Sequence, residues 1–363
     1  MSGAGASDLA EIRAQVLPAY SDWQDGAATV SVAPFGNGLI NRTYLLTGGA
    51  GRAVLQRVSP IFSPAIHQNI LAVTRRLMAV GMVTPQLVAT LDGAPCLELG
   101  DAVWRMLTYV DGVSFDIVGD AEQAHAAGAL IARFHGALDG LDHAFVGMRV
   151  GVHDIVGHLA RLDEAVAGHP WHRLAGHVGP LAAAIRAGAL TLPPLPALAP
   201  RVCHGDLKFN NILFAGANGT ARAQPVCLID LDVVGPLSLA FELGDAWRSW
   251  CNRAGEDEAQ AVLDLEIFRA SLDGYAGSLG RALTVDERRA LLLGVEWVSL
   301  GLAARFAADA LRESYFGWDP RRYPGRGEHN LVRARGQWSL HQLLVAARPA
   351  RGSALALESV NTS

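Results

Sequence analysis

The chain has 363 residues, half of them hydrophobic and 18% charged, with a formal net charge of −5. That length allows two packed units sharing a cleft, and that composition excludes a disordered chain. The acidic balance gives no general basic surface for nucleic acid, yet phosphate ligands held by backbone donors and metal ions stay open to it.

Residues 1–27 read as an N-terminal extension or helix, and "MSGAGASDLAEIRAQVL" carries charge where a signal peptide needs an apolar run. From 28 to 110 the pattern is mostly strand. "ATVSVAPFG" and "RTYLLTG" flank a glycine pair, and "RAVLQRV" follows the turn "GGAG". "PAIHQNILAVTRRLMAVG" fits a helix, with Ile66, Ile70, Val73 and Leu77 at helical spacing and Gly81 as its stop. "LVATLDGAPCLEL" and "AVWRMLTYVDG" read as two more strands.

The character changes near Val110–Ser114, so 111–348 is expected to form a larger, mainly helical part. "AEQAHAAGALIARFHGAL" has Leu130, Ile131, Phe134 and Leu138 on one stripe, and the prolines of "LTLPPLPALAP" forbid a regular element. From Glu256 the pattern is helical almost to the end, with 349–363 expected as a flexible tail. "LLLGVEWVSLGLAARF" is interrupted by Glu296 and Arg305, so a buried helix is expected there and no membrane partner. Cys96, Cys203, Cys227 and Cys251 are widely spaced and make no metal pattern, as for reduced thiols in the cytoplasm. The sequence sets no oligomeric state.

"VCHGDLKFNNILF" crowds polar groups between two apolar runs. "NILF" and "VCLID" are short strands joined by a turn-rich connection, and an antiparallel hairpin would bring Asn211 and Asp230 out side by side. Asp206 lies on the loop just before, with Asp232 close by. Clustered carboxylates repel and are costly to desolvate, and a divalent cation removes both penalties. Asn and Asp oxygens suit Mg²⁺ or Mn²⁺. His204-x-Asp206-x₄-Asn211 followed by Asp230 is the catalytic-loop and metal-loop spacing of kinases. Asp206 would accept the proton of an attacking hydroxyl, His204 would brace the loop, and Asn211 with Asp230 would hold the metal.

"FGNGLINRTYLL" places Gly36, Asn37 and Gly38 between two strands, where backbone N–H groups could meet the phosphates of ATP. Alone, such a turn is an ordinary hairpin, and no G-K-[ST] follows. Asn41 could support that loop or reach substrate. Arg57 could neutralise phosphate charge, although strand alternation leaves open whether it or Gln56 faces the nucleotide. Met106 and Thr108, at the connection between the two parts, would offer backbone hydrogen bonds to an adenine.

These residues resemble the aminoglycoside phosphotransferase/choline kinase superfamily, through "HGDLKFNNILF" and "VCLIDLD". Within it they look most like N-acetylhexosamine 1-kinases, through "FGNGLINRTYLL", "VLQRV", "IDLDVVGPLSLAFELGDAWR", "GEDEAQAVLDLEIF" and "RFAADALRESYFGWDPRRYPGRGEHNLVRARGQWSL". The resemblance implies an α+β, protein-kinase-like two-lobed fold with a small β-rich N-lobe and a large helical C-lobe. It implies ATP-dependent phosphorylation of a sugar, at the anomeric hydroxyl of a hexosamine or relative. An aminoglycoside, choline or homoserine acceptor is the alternative within the class; a nucleotide-binding protein without turnover is another. Lys208 and Asp232 become candidates for the substrate side, as do Arg305 and Tyr315, which read equally as a helix cation and a core aromatic. Where the family often has Asp-Phe-Gly-Asp, this chain has Glu242-Leu243-Gly244-Asp245, so a contact from Glu242 to the catalytic loop would have to be re-formed.

Overall fold

The structure is a computed structural model and describes residues 8–24, 29–36, 40–149, 151–152, 154–216 and 223–357. Two compact units divide the chain: Met1–Asp111 with Gly140–Arg149, and Gly112–Asp139 with Val150–Ser363.

In the first unit the strand alternation becomes β1 (Ser31–Pro34), β2 (Arg42–Gly48), β3 (Gly51–Val58), β4 (Leu87–Val88), β5 (Leu97–Leu99) and β6 (Ala102–Thr108). They form one sheet in the order β1-β2-β3-β6-β4, with β5 also on β6, and every pair is antiparallel. Tyr44 pairs with Leu55 and Leu55 with Met106, so these residues share one face, as strand period two requires. That face packs against Ile12, Val16, Leu17, Tyr20 and Trp23. The described N-terminal residues are therefore part of this core, and end in the short helix α1 (Ser21–Gln24). Helix α2 (Ile66–Ala79) stops before Gly81, whose φ of +77° admits the left-handed turn. Asn69 on α2 holds the returning segment, donating to Val146 O at 2.7 Å and accepting from Val146 N at 3.0 Å.

The second unit opens on α3 (Ala121–Leu138), whose first turn is capped by Asp120 accepting from Gln123 N. Helices α4 (Ile155–Gly168) and α5 (Ala175–Thr191) precede the proline-rich connector. Two small antiparallel pairs follow: β7 (Arg201–Cys203) with β10 (Gly235–Leu237), and β8 (Ile212–Phe214) with β9 (Pro225–Leu228). The rest is helical: α6 (Leu239–Trp250), α7 (Leu265–Ser278), α8 (Val285–Arg312), α9 (Arg326–Ala346) and α10 (Arg348–Ala354). Helix α8 is long and apolar enough to cross a bilayer, but 78% of its most apolar stretch is buried inside the protein. It is the core helix, capped by a reciprocal Thr284–Glu287 box.

Glycines let the helices approach backbone to backbone. A Cβ on Gly244 of α6 would come within 2.8 Å of the Gly294 backbone on α8, and one on Gly294 would strike the Ala240 carbonyl. Gly128 of α3 and Gly274 of α7 meet each other's helices in the same way. The tail expected to be loose is helical over Arg348–Ala354, because Arg348 and the fully buried Arg351 both reach the buried carboxylate of Glu296 on α8.

Candidate active site

The candidate site lies in the second unit, on the segment between β7 and β10. Because Ile212 pairs with Leu228, the start of β8 and the end of β9 leave the ribbon together, and Ile229 N donates to Asn211 O at 2.9 Å. Asn211 Nδ2 donates to the main-chain oxygen of Asp206 at 2.8 Å and lies 3.4 Å from its Oδ2. Lys208 Nζ is 3.1 Å from the same Oδ2. Asp206, Lys208 and Asn211 are thus gathered, and the Ile229–Asn211 bond brings in the turn leading to Asp230.

His204 is fully buried. Its Nε2 reaches Ile229 O at 2.8 Å and its Nδ1 accepts from Asp206 N at 3.3 Å, so the ring ties the loop to the segment carrying Asp230. Gly205 has φ +83°, and a Cβ there would lie 2.8 Å from Val233 O, so only glycine fits this turn. Glu242 on α6 closes the bracing: Oε1 accepts from His204 N at 2.8 Å and Oε2 from Gly205 N at 2.9 Å. The extra methylene relative to aspartate is absorbed, and both oxygens reach the loop. Burial pushes the Glu242 carboxyl up, but the hydrogen bonds it accepts from His135 and the Gly205 N–H outweigh it and leave it below its ordinary range. Below the loop, Trp250 Nε1 donates to Leu207 O at 2.8 Å and Phe209 packs between Trp250 and Phe214.

Asp230 is exposed and holds φ +65°, a left-handed conformation that costs an L-residue energy and marks functional turns when not glycine. Asp232, two residues on, is buried. The charge of Asp206 is the main cause that raises the Lys208 ammonium above its usual range, against the effect of burial and helped by Glu256 and Asp230. The donor set fits a hard cation: Asn211 commits its amide nitrogen to Asp206 O, and its amide oxygen and the Asp230 carboxylate are hard oxygen donors.

Other predicted residues are placed differently. Arg57 shares the covered face of β3, and Asp8, buried in the N-terminal segment, takes its guanidinium at 2.7 Å together with Arg42 at 3.0 Å. Gln56 occupies the opposite face, bonded to Thr43 and Arg105. Met106 is fully buried in mid-strand, flanked by Leu55 and Val88, and Thr108 N donates to Gln86 O at 2.9 Å. The Thr108 N–H is thus taken by Gln86. Asn41 supports its own loop by accepting from Ser59 N at 2.9 Å. Gly36 has the left-handed φ of +74°, whereas Asn37 and Gly38 lie outside the described residues. Arg305 stacks over Tyr315 and Phe316, at 5.6 and 5.2 Å from the ring centroids, which makes one aromatic–cation cluster of that pair.

Sequence reasoning missed Asp309, which caps the turn after α8 by accepting from Ser314, Tyr315 and Phe316 N. It also missed the pairing of "GEDE". Glu256 binds Arg248 at 2.7 Å, Asp257 binds Arg333 at 2.7 Å and His329 at 2.9 Å, and Glu258 binds Arg322 at 3.1 Å. The signal was the count of arginines on either side of it.

A small sheet-containing unit and a helical unit carrying a braced His-x-Asp loop define a kinase-like small-molecule phosphotransferase. Residues 31–277 match the model of the phosphotransferase enzyme family, and the chain belongs to that family. Among solved structures it is similar to a microcompartment-associated aminopropanol kinase, with TM-score 0.59 and 16% identity over 93% of this chain and 98% of that one. The choline kinase of Cryptosporidium parvum superposes with TM-score 0.58 and 10% identity, covering 96% and 97%. An aminoglycoside phosphotransferase from Alicyclobacillus acidocaldarius gives 0.54 and 19% identity, covering 91% and 93%. These likenesses show the protein-kinase-like α+β fold.

Proposed function

We propose that this chain transfers the γ-phosphoryl group of ATP to a hydroxyl of a neutral sugar, the anomeric hydroxyl of an N-acetylhexosamine or a close relative. The observation that carries the reading is the braced loop: Asp206, held through Asn211 and His204, stands beside Lys208 and the turn of Asp230.

Asp206 accepts the proton of the attacking hydroxyl as the new bond to phosphorus forms and the bond to the β-phosphate bridge oxygen breaks. Lys208, kept cationic by Asp206, neutralises charge on the transferring group. Asn211 and Asp230 would hold Mg²⁺, with Mn²⁺ as the substitute, and the ion would supply charge neutralisation at the phosphates when bound. Positioning supplies much of the rate, which is why the loop is braced from three sides.

The acceptor class rests on two supports. The motif likeness points to hexosamine kinases, and the pairing of Glu256, Asp257 and Glu258 with arginines removes the acidic surface that a polycation or quaternary ammonium would need. The test is a product assay with MgATP across hexoses, hexosamines, amino alcohols and aminoglycosides, read by ³¹P NMR. A sugar 1-phosphate is expected, with Asp206→Asn turning over roughly 10²–10⁴-fold more slowly at unchanged melting temperature. Phosphorylation of an amino alcohol or aminoglycoside in preference to any sugar overturns the acceptor. Parent-like turnover in Asp206→Asn overturns the mechanism.

A further inference from the structure

Behind Glu242 stands a second layer of side chains that the phosphotransferase reading leaves without a task. His135 on α3 and Tyr275 on α7 are both buried. His135 Nε2 lies 3.2 Å from Glu242 Oε1, and Nδ1 lies 3.0 Å from the Tyr275 hydroxyl. A carboxylate can only accept, so Nε2 carries the proton, Nδ1 accepts, and the Tyr275 O–H donates. Burial pushes His135 below its ordinary range despite the pull of Glu242, which keeps this neutral tautomer. The meeting depends on the close crossing of α3 and α7 at Gly128 and Gly274, where any Cβ would strike the opposite backbone. Cys203 Sγ shares the cluster with His135 and Glu242. It donates to Leu237 O at 3.6 Å, and burial raises the thiol well above its usual range.

We propose that Tyr275 and His135 are positioning residues for phosphoryl transfer. They fix the rotamer of Glu242 so that its two oxygens hold the His204 and Gly205 amides and set Asp206 at its working position. Removing them lowers turnover and leaves nucleotide binding alone.

Tyr275→Phe keeps the ring in its packing and deletes only the donor. The expected result is faster hydrogen exchange at the His204 and Gly205 amides, a kcat lower by about three- to tenfold, an unchanged KM for ATP and a parent-like melting temperature. His135→Gln, which retains a donor for Glu242, should keep more turnover than His135→Leu. In a Glu242→Ala background the Tyr275→Phe effect should vanish, since the relay then has no acceptor to orient. Unchanged amide exchange in Tyr275→Phe overturns the proposal, and so does an equal loss in both backgrounds. Loosened amides with unchanged turnover also overturn the positioning role. The exchange measurement needs no acceptor, so a failure of the sugar reading leaves this test standing.

Discussion

Asp230 shows how a single residue records the conflict between folding and chemistry. Its backbone sits at φ +65°, where glycine is at ease and a side chain costs energy, yet the position keeps a carboxylate. Asp230→Gly should therefore fold with stability within about 1 kcal/mol of the parent, since relief of strain offsets the added freedom of the unfolded chain. Turnover should fall by roughly 100-fold or more, because the oxygen ligand proposed for the cation would be gone. Thermal unfolding and a phosphoryl-transfer assay on the same preparation decide it. Normal turnover in the glycine variant would remove Asp230 from the site.

Among the elements, the contact of α6 with α8 governs where Glu242 stands. A methyl group on Gly294 meets the Ala240 main-chain oxygen, and backbone cannot step aside as a flexible side chain would. Gly294→Ala should cost about 1–3 kcal/mol of stability and lower turnover as α6 carries Glu242 away from the loop. Gly136→Ala, at an exposed position of α3 with open space around it, should instead stabilise by about 0.5–1 kcal/mol. The pair of melting temperatures separates helix propensity from helix crossing, and a stabilised Gly294→Ala would contradict the packing. This contrast also marks what the sequence could say. The helix Ala121–Leu138 was readable from its stripe, and the ribbon that joins Asn211 to the Asp230 turn from two apolar runs, because both signals are local. Helix α6 was not, since Gly244 looks like a breaker until the facing Gly294 is known. Likewise Arg351 belongs to a tail of loose composition, and its partner Glu296 lies 55 residues away. The choice between Gln56 and Arg57 turned on Asp8, a residue in a segment with no visible link to β3.

Across the whole molecule, buried and paired ionisable groups set how it responds to acid, in two stages. His158 is buried, donates from Nε2 to Val152 O and accepts at Nδ1 from Arg161. Burial lowers it from 6.5 to about 4, and burial also lowers His135 and His341. A histidine depressed in the folded state contributes stability that is complete above its unfolded value and is lost as pH falls toward the folded one. The first loss therefore begins below about pH 6.5. Carboxylates follow. Glu313 is lowered from 4.5 to about 2, chiefly by its bond from Arg173, with His172 and Gly327 N adding to it. Asp8 is lowered too: burial raises it, but Tyr44, Arg42 and Arg57 together prevail. Their contribution is present above the unfolded carboxylate range and drains as pH falls below it, so the second loss is steeper and lies between about 4.5 and 2. Melting temperature recorded from pH 8 to pH 3 should fall gently at first and then sharply. His158→Gln, which keeps a donor and an acceptor but cannot gain a proton, should flatten the first segment and leave the second. Glu313→Gln should do the reverse. A single transition confined to the carboxylate range, identical in parent and His158→Gln, would mean that the buried histidines carry no share of the acid response.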